Sequence, residues 1–168
     1  MNPDLRKLAI RLLDEHRIMT IATNRPDGWP QATIVGYANE EFTLYCFVAR
    51  TSQKCANIKR DKRVSIAIAD DFSDPMQIEG LSLAATATFV EDRKEFDRGY
   101  DLLLTRYPEY RAWPRPEPAM APMLRFAPEV ISVLDYSKGF GHSDLITLSS
   151  HNVEHVPSHS NWFETIFV

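Results

Sequence analysis

The chain has 168 residues, 44% of them hydrophobic and 25% charged, with a net charge of -4. That length suits one domain with a substantial core, and the composition excludes collagen-like, low-complexity and largely disordered chains. No apolar run approaches the roughly 20 residues that span a bilayer, so no membrane partner is expected, and the mild acidity gives no sign of nucleic-acid binding on the scale of the whole chain.

In chain order, Asn2 can cap a helix whose first residue is Pro3, and Leu5, Leu8, Ala9, Leu12 and Leu13 recur along one face. This helix is expected to end near His16. The N-terminus has no basic region followed by an apolar stretch, so no secretory signal is expected and a cytoplasmic location is the default. Ile18 to Asn24 reads as a strand, Arg25-Pro26-Asp27-Gly28 as a turn and Gln31 to Tyr37 as the returning strand. A second turn at Ala38 to Glu41 leads to a strand from Phe42 to Val48. There Leu44, Cys46 and Val48 alternate with Tyr45 and Phe47, so both faces are apolar and both are expected to be covered.

After Thr51 to Lys54 comes a short helix, apolar through Cys55, Ala56 and Ile58 and basic through Lys59, Arg60 and Lys62. Arg63 to Ala69 alternates as a strand. Gln77 to Val90 is a long strand of small and β-branched residues, with Gly80 as a possible bend. Asp92 followed by Glu95 is a capping box for a helix expected to bury Phe96, Tyr100, Leu103 and Leu104. Pro108, Pro114, Pro116, Pro118 and Pro122 forbid regular structure over an extended loop. Leu124 to Tyr136 is the last expected strand, before Ser137-Lys138-Gly139-Phe140-Gly141 and a polar tail. About six short strands interrupted by short helices argue for a mainly β fold, a small antiparallel barrel with peripheral helices. The strict α/β alternation of a parallel sheet and a glycine-rich nucleotide fingerprint are both missing.

Arg50, Lys54, Lys59, Arg60, Lys62 and Arg63 crowd one window against a single acid, Asp61. Two readings stand: a solvated helix face, or an anion site. Thr51 and Ser52 favour the anion, because hydroxyls, cations and the free N–H groups of a helix start can converge on one phosphate. Ser52 as a simple N-cap is the alternative. Cys46 and Cys55 have no zinc or redox spacing and are expected to be packed thiols, and no metal site is expected. His151, His155 and His159 recur every fourth residue, as metal or haem ligands on one helix face would. Pro157 and the surrounding serines instead read as loop. His142 stands nearer the folded region, as either a structural histidine or one that reaches the site.

Taken in order, Ile21-Ala22-Thr23, Asp27-Gly28-Trp29-Pro30-Gln31-Ala32-Thr33-Ile34-Val35-Gly36, Leu44 to Val48, Thr51-Ser52-Gln53-Lys54 and Arg63 to Ile68 resemble the flavin-binding split-barrel family typified by pyridoxamine 5'-phosphate oxidase. Gln77-Ile78-Glu79-Gly80 and Val133 to Gly139 sit where that family has related motifs, so the resemblance covers about residues 5 to 139. It implies a six-stranded antiparallel split β-barrel over residues 1–141, with 142–168 as a tail over the cleft or dimer surface. It further implies flavin mononucleotide (FMN) as cofactor and a homodimer with the cofactor at the seam. Arg50, Thr51, Ser52 and Lys54 become the phosphate group, Thr33, Ile34 and Val35 the ring edge, and Gln77 a contribution from the second subunit. The implied activity is FMN-dependent electron or hydride transfer with a small-molecule substrate. No catalytic acid or base is assigned; Tyr136, Lys138 and His142 are candidates for the substrate side. The alternatives are a flavin storage or stress-response protein, or a deazaflavin- or haem-binding member of the fold. The substrate-phosphate positions of the oxidases proper have no counterpart after Tyr136, so vitamin B6 oxidation is not expected.

Overall fold

A computed structural model describes residues 2–148. Helix α1 (Pro3–Glu15) begins as its sequence dictates, with Asn2 Oδ1 accepting from the backbone N–H of Asp4 at 2.9 Å. Ala9, Leu12 and Leu13 are buried on one face. The hairpin of β1 (Ile18–Asn24) and β2 (Pro30–Gly36) closes through Gly28, whose φ of +87° is open to glycine at little cost.

Strand β3 (Ala38–Glu40) pairs with β4 (Thr43–Phe47), where the sequence predicted a turn. Three residues are too few to show an alternating pattern, and the actual reversal is made at Glu41, at φ +50°. As expected, β4 is covered on both sides. Leu44 and Cys46 enter the main core, while Tyr45 and Phe47 pack with Phe96 of α3 (Arg93–Arg106). That helix is capped by Asp92, whose Oδ1 accepts from the N–H of Glu95 at 2.8 Å. It buries Phe96 and Leu103 fully, and Tyr100 and Leu104 in part.

Between them lie α2 (Gln53–Arg60), β5 (Arg63–Ala69) and β6 (Glu79–Phe89). The bend of β6 falls at a register shift between Ala84 and Ala85, not at Gly80. Gly80 serves a different need: a Cβ there would lie 2.8 Å from the carbonyl oxygen of Ile68 on β5. The long β7 (Met123–Asp135) pairs with β6 along its length, and β8 (Ser143–Thr147) is a further strand within the segment expected to be polar tail.

The strand order is β2-β1-β5-β6-β7-β4-β3, with β8 on β7, and every pairing is antiparallel. Strands β2 and β4 approach one another without forming a ladder. The sheet is thus curled into a barrel that stays split between these two strands. Ile21, Leu44, Ile66, Leu83, Phe126 and Ile131 fill its interior. The mainly β, split-barrel fold read from the sequence is the fold observed.

Candidate functional site

Helix α2 packs against β1 and is tied to the edge strand β2 through Asn57. Ser52 is its N-cap, with Oγ accepting from the N–H of Cys55 at 3.3 Å. The residues of the predicted anion turn are therefore gathered at one helix start, but they are employed differently. Arg50 turns away toward the proline-rich loop, where Nη2 donates to the carbonyl of Pro118 at 2.6 Å and Nε to that of Ala119. Thr51 is exposed. Lys54 is half-buried and has neither an acid partner nor a hydrogen bond among the described residues. Its charge reaches the inner face of β4: burial pushes the Cys46 thiol up to about 12, and the Lys54 ammonium pulls against that rise.

A charge left without a partner in a partly desolvated place is costly. Arg50, Lys54, Lys59, Arg60 and Lys62 form no ion pair with any described carboxylate, while Arg63 takes Asp61 at 2.8 Å. The arginine holds the Asp61 carboxyl well below its ordinary range. The one acid of the window is thereby withdrawn from the turn.

The second part of the site is β2, an end strand of the ladder. In an antiparallel pair, alternate residues direct their N–H and C=O away from the partner strand, so the free margin of β2 presents backbone donors and acceptors to the split. The three predicted ring-edge residues diverge in their side chains. Ile34 is 69% exposed on the outer surface, Val35 packs against the core, and Thr33 has a buried Oγ1 with no hydrogen-bond partner. Such an orphaned hydroxyl costs stability unless a ligand or water answers it.

What ties β2 to α2 was not singled out from sequence. Asn57 is 0% exposed; its Nδ2 donates to Thr23 Oγ1 at 2.9 Å and to Gln31 Oε1 at 3.2 Å, while Gln53 donates to its Oδ1 at 2.8 Å. The available signal was an amide set among Cys55 and Ile58 on the apolar side of a short helix. Gln77, by contrast, is not brought to the turn. It sits exposed in a 3₁₀ turn (Pro75–Gln77) before β6, whereas the α2 end of the sheet meets the other end of that strand, about 33 Å of extended chain away.

The candidate substrate-side residues lie near the β7–β8 hairpin, in a fully paired network. Lys138 Nζ is 3.2 Å from both Asp135 and Asp144, His142 Nε2 is 3.1 Å from Asp144, and Ser137 Oγ donates to Asp135 at 2.6 Å. The other described histidine, His16, is buried with Nδ1 2.6 Å from the carbonyl oxygen of Leu12 and Nε2 3.4 Å from Asp70. His151, His155 and His159 lie outside the described residues. Among the described residues no group of His, Cys, Asp or Glu is placed to hold a metal ion, and no helix is long and apolar enough to cross a membrane.

A split antiparallel barrel with a helix start that carries a cation unpaired among the described residues, on a helix tied to an edge strand, defines a class of protein, and the comparisons give it a family. The pattern of the family described as pyridoxamine 5'-phosphate oxidase matches residues 6–134, so the chain belongs to that family. Among solved structures it is similar to a haem-binding protein from Mycobacterium smegmatis, with TM-score 0.74 and 21% identity over 88% of this chain and 59% of that one. It is also similar to ChuZ of Campylobacter jejuni, with TM-score 0.71 and 17% identity over 94% of this chain and 64% of that one. General Stress Protein 26 of Bacillus anthracis gives TM-score 0.65 and 18% identity over 86% and 98%. This chain therefore spans less than two thirds of the first two, and likeness at these identities concerns the fold. No curated protein matches the sequence.

Proposed function

We propose that this chain is an FMN-dependent oxidoreductase that acts on a small molecule. The observation that carries the reading is Lys54, a half-buried ammonium without an acid among the described residues, in the first turn of the helix that Asn57 ties to the edge strand β2. FMN needs an anion site, an apolar slot and backbone donors for one side of its ring. Lys54, Thr51, Ser52 and the first N–H groups of α2 would hold the phosphate; Arg50 would reach it only by releasing the loop carbonyls. The backbone of Thr33 to Val35 would hold the ring edge, with Thr33 Oγ1 gaining the partner it lacks. When bound, the flavin supplies the electron or hydride transfer. The chain's own part is to bind, orient and exclude water.

We place a second copy of the chain on the outer face of β2, β1, β5 and β6. The outward rows there run Ala32, Ala22, Ser65, Ala84 and Ile34, Thr20, Ala67, Ser82 across the four strands, with no long charged side chain in either. Trp29, 73% exposed, borders them. Such a face suits close sheet packing better than solvent. A second copy would also supply Gln77, which cannot reach its own turn. The free, buried Cys46 and Cys55 suit a reducing cytoplasm.

The similarity to a haem-binding protein supports a second reading, haem in the same cleft. Titration decides between them. FMN should bind, shift its visible spectrum and be reduced by a nicotinamide nucleotide. Binding of haemin without any affinity for FMN would overturn the flavin reading.

A further inference from the structure

The proline-rich loop between α3 and β7 meets the site described above only through Arg50. Pro116, Pro118 and Pro122 form one wall of a cavity of about 680 Å³, opposite Phe89 and Val90 at the end of β6 and Phe96 of α3. Proline fixes φ and cannot donate a backbone hydrogen bond, so this wall is stiff. It is also pinned: besides its two side-chain bonds to the loop, Arg50 donates its backbone N–H to the carbonyl of Met120 at 3.0 Å. The cavity is built in advance and has the size of a small-molecule site.

Four cations line it: Arg50, Lys59, Arg93 and Arg115. One carboxylate, Asp97, serves both Arg93, at 3.0 Å, and Arg115. Arg115 lies over the rings of Phe96 and Tyr100, with centroids 5.5 and 4.7 Å away. Lys59 lies 6.0 Å from the Phe89 centroid and meets no acid among the described residues. The excess positive charge calls for an anion. The same cavity also presents Glu91 and Glu117, neither of which forms an ion pair among the described residues. Its ligand must therefore bring hydrogen-bond donors as well as negative charge, on a body flat enough to lie against Phe89 and the prolines.

We propose that this cavity binds a nucleoside monophosphate. The phosphate meets the cations, the ribose hydroxyls donate to a glutamate, and the base packs on the aromatic and proline walls. Inorganic phosphate alone would leave the acids and apolar walls unused, and an apolar ligand would leave the cations unused. A free nucleotide and the adenylate half of a dinucleotide share this chemistry. The proposal does not depend on the flavin reading.

Adenosine 5'-monophosphate is titrated calorimetrically into the full chain, with adenosine and inorganic phosphate as comparators. AMP should bind at least about ten-fold more tightly than either, and Lys59→Ala and Arg93→Ala should each weaken it by about ten-fold, as expected for loss of a charge-assisted hydrogen bond. Both side chains are exposed, and an unchanged urea midpoint shows that the variants fold. If flavin adenine dinucleotide then binds more tightly than FMN, and Lys59→Ala removes the difference, the adenylate half is the occupant; equal affinities leave free AMP. AMP binding no tighter than phosphate, or unaffected by both substitutions, overturns the proposal. FMN affinity measured on the same preparations keeps that outcome separate from the fate of the flavin reading.

Discussion

At the β7–β8 hairpin every charge has a partner: Lys138 bridges Asp135 and Asp144, His142 meets Asp144, and Ser137 completes Asp135. At the start of α2, Lys54 is half-buried with no acid among the described residues. The hairpin network holds its aspartates below the usual carboxylate range, Asp135 chiefly through Ser137 and Asp144 chiefly through His142. Charges closed on one another hold a structure together. On the proposed function, a cation left open at the start of α2 is where a ligand's anion would sit.

Perturbing the two regions should therefore separate stability from ligand affinity. The largest loss of stability is expected for Asp135→Ala, which strips Ser137 and Lys138 of a buried acceptor. It should cost about 2–3 kcal/mol in urea unfolding and leave FMN affinity unchanged. A variant that unfolds normally but loses FMN would place the hairpin in the cofactor site.

Ser52→Ala should cost about 1 kcal/mol through the lost N-cap, read as a lower thermal midpoint. An additional loss of FMN affinity would show that the hydroxyl also meets phosphate. Smaller still is the effect of acid on Asp144, which is partly exposed. Because its pKa is lower folded than unfolded, its contribution is complete above the unfolded value near about 4 and drains as pH falls through the folded value. Asp144→Asn should thus narrow the gap in unfolding free energy between pH 6 and pH 3, read from urea titrations, by only about a few tenths of a kcal/mol, discounted for solvent screening. Lys54→Ala should leave unfolding within about 0.5 kcal/mol of the parent, since no hydrogen bond or ion pair among the described residues is lost.

Much of this was legible in the residues themselves. Asn2 and Asp92 announced their helices by capping chemistry, and the alternation of Leu44 to Val48 announced a strand covered on both faces. The short strands at Ala38–Glu40 and Ser143–Thr147 escaped because they are too brief for periodicity to separate them from turns. The crowding of cations and hydroxyls before α2 was legible, but their division of labour was not. Arg50 is claimed by carbonyls 68 and 69 residues further along the chain, and no local pattern foretells that. Asn57 escaped for the same reason, since its meaning lies in Thr23 and Gln31 on other strands. Gln77, given by the resemblance as a contribution from the second subunit, lies at the far end of β6 from α2 of its own chain, so it would serve that chain's partner only.

The central claim is that Lys54 waits for a phosphate, and the direct measurement is the affinity of parent and Lys54→Ala for FMN and for riboflavin, which has the ring without the phosphate. The account predicts that the substitution weakens FMN by about 1.5–3 kcal/mol, the range for a hydrogen bond to a charged group, and leaves riboflavin nearly unchanged. Equal losses for both ligands, or none for either, would contradict it.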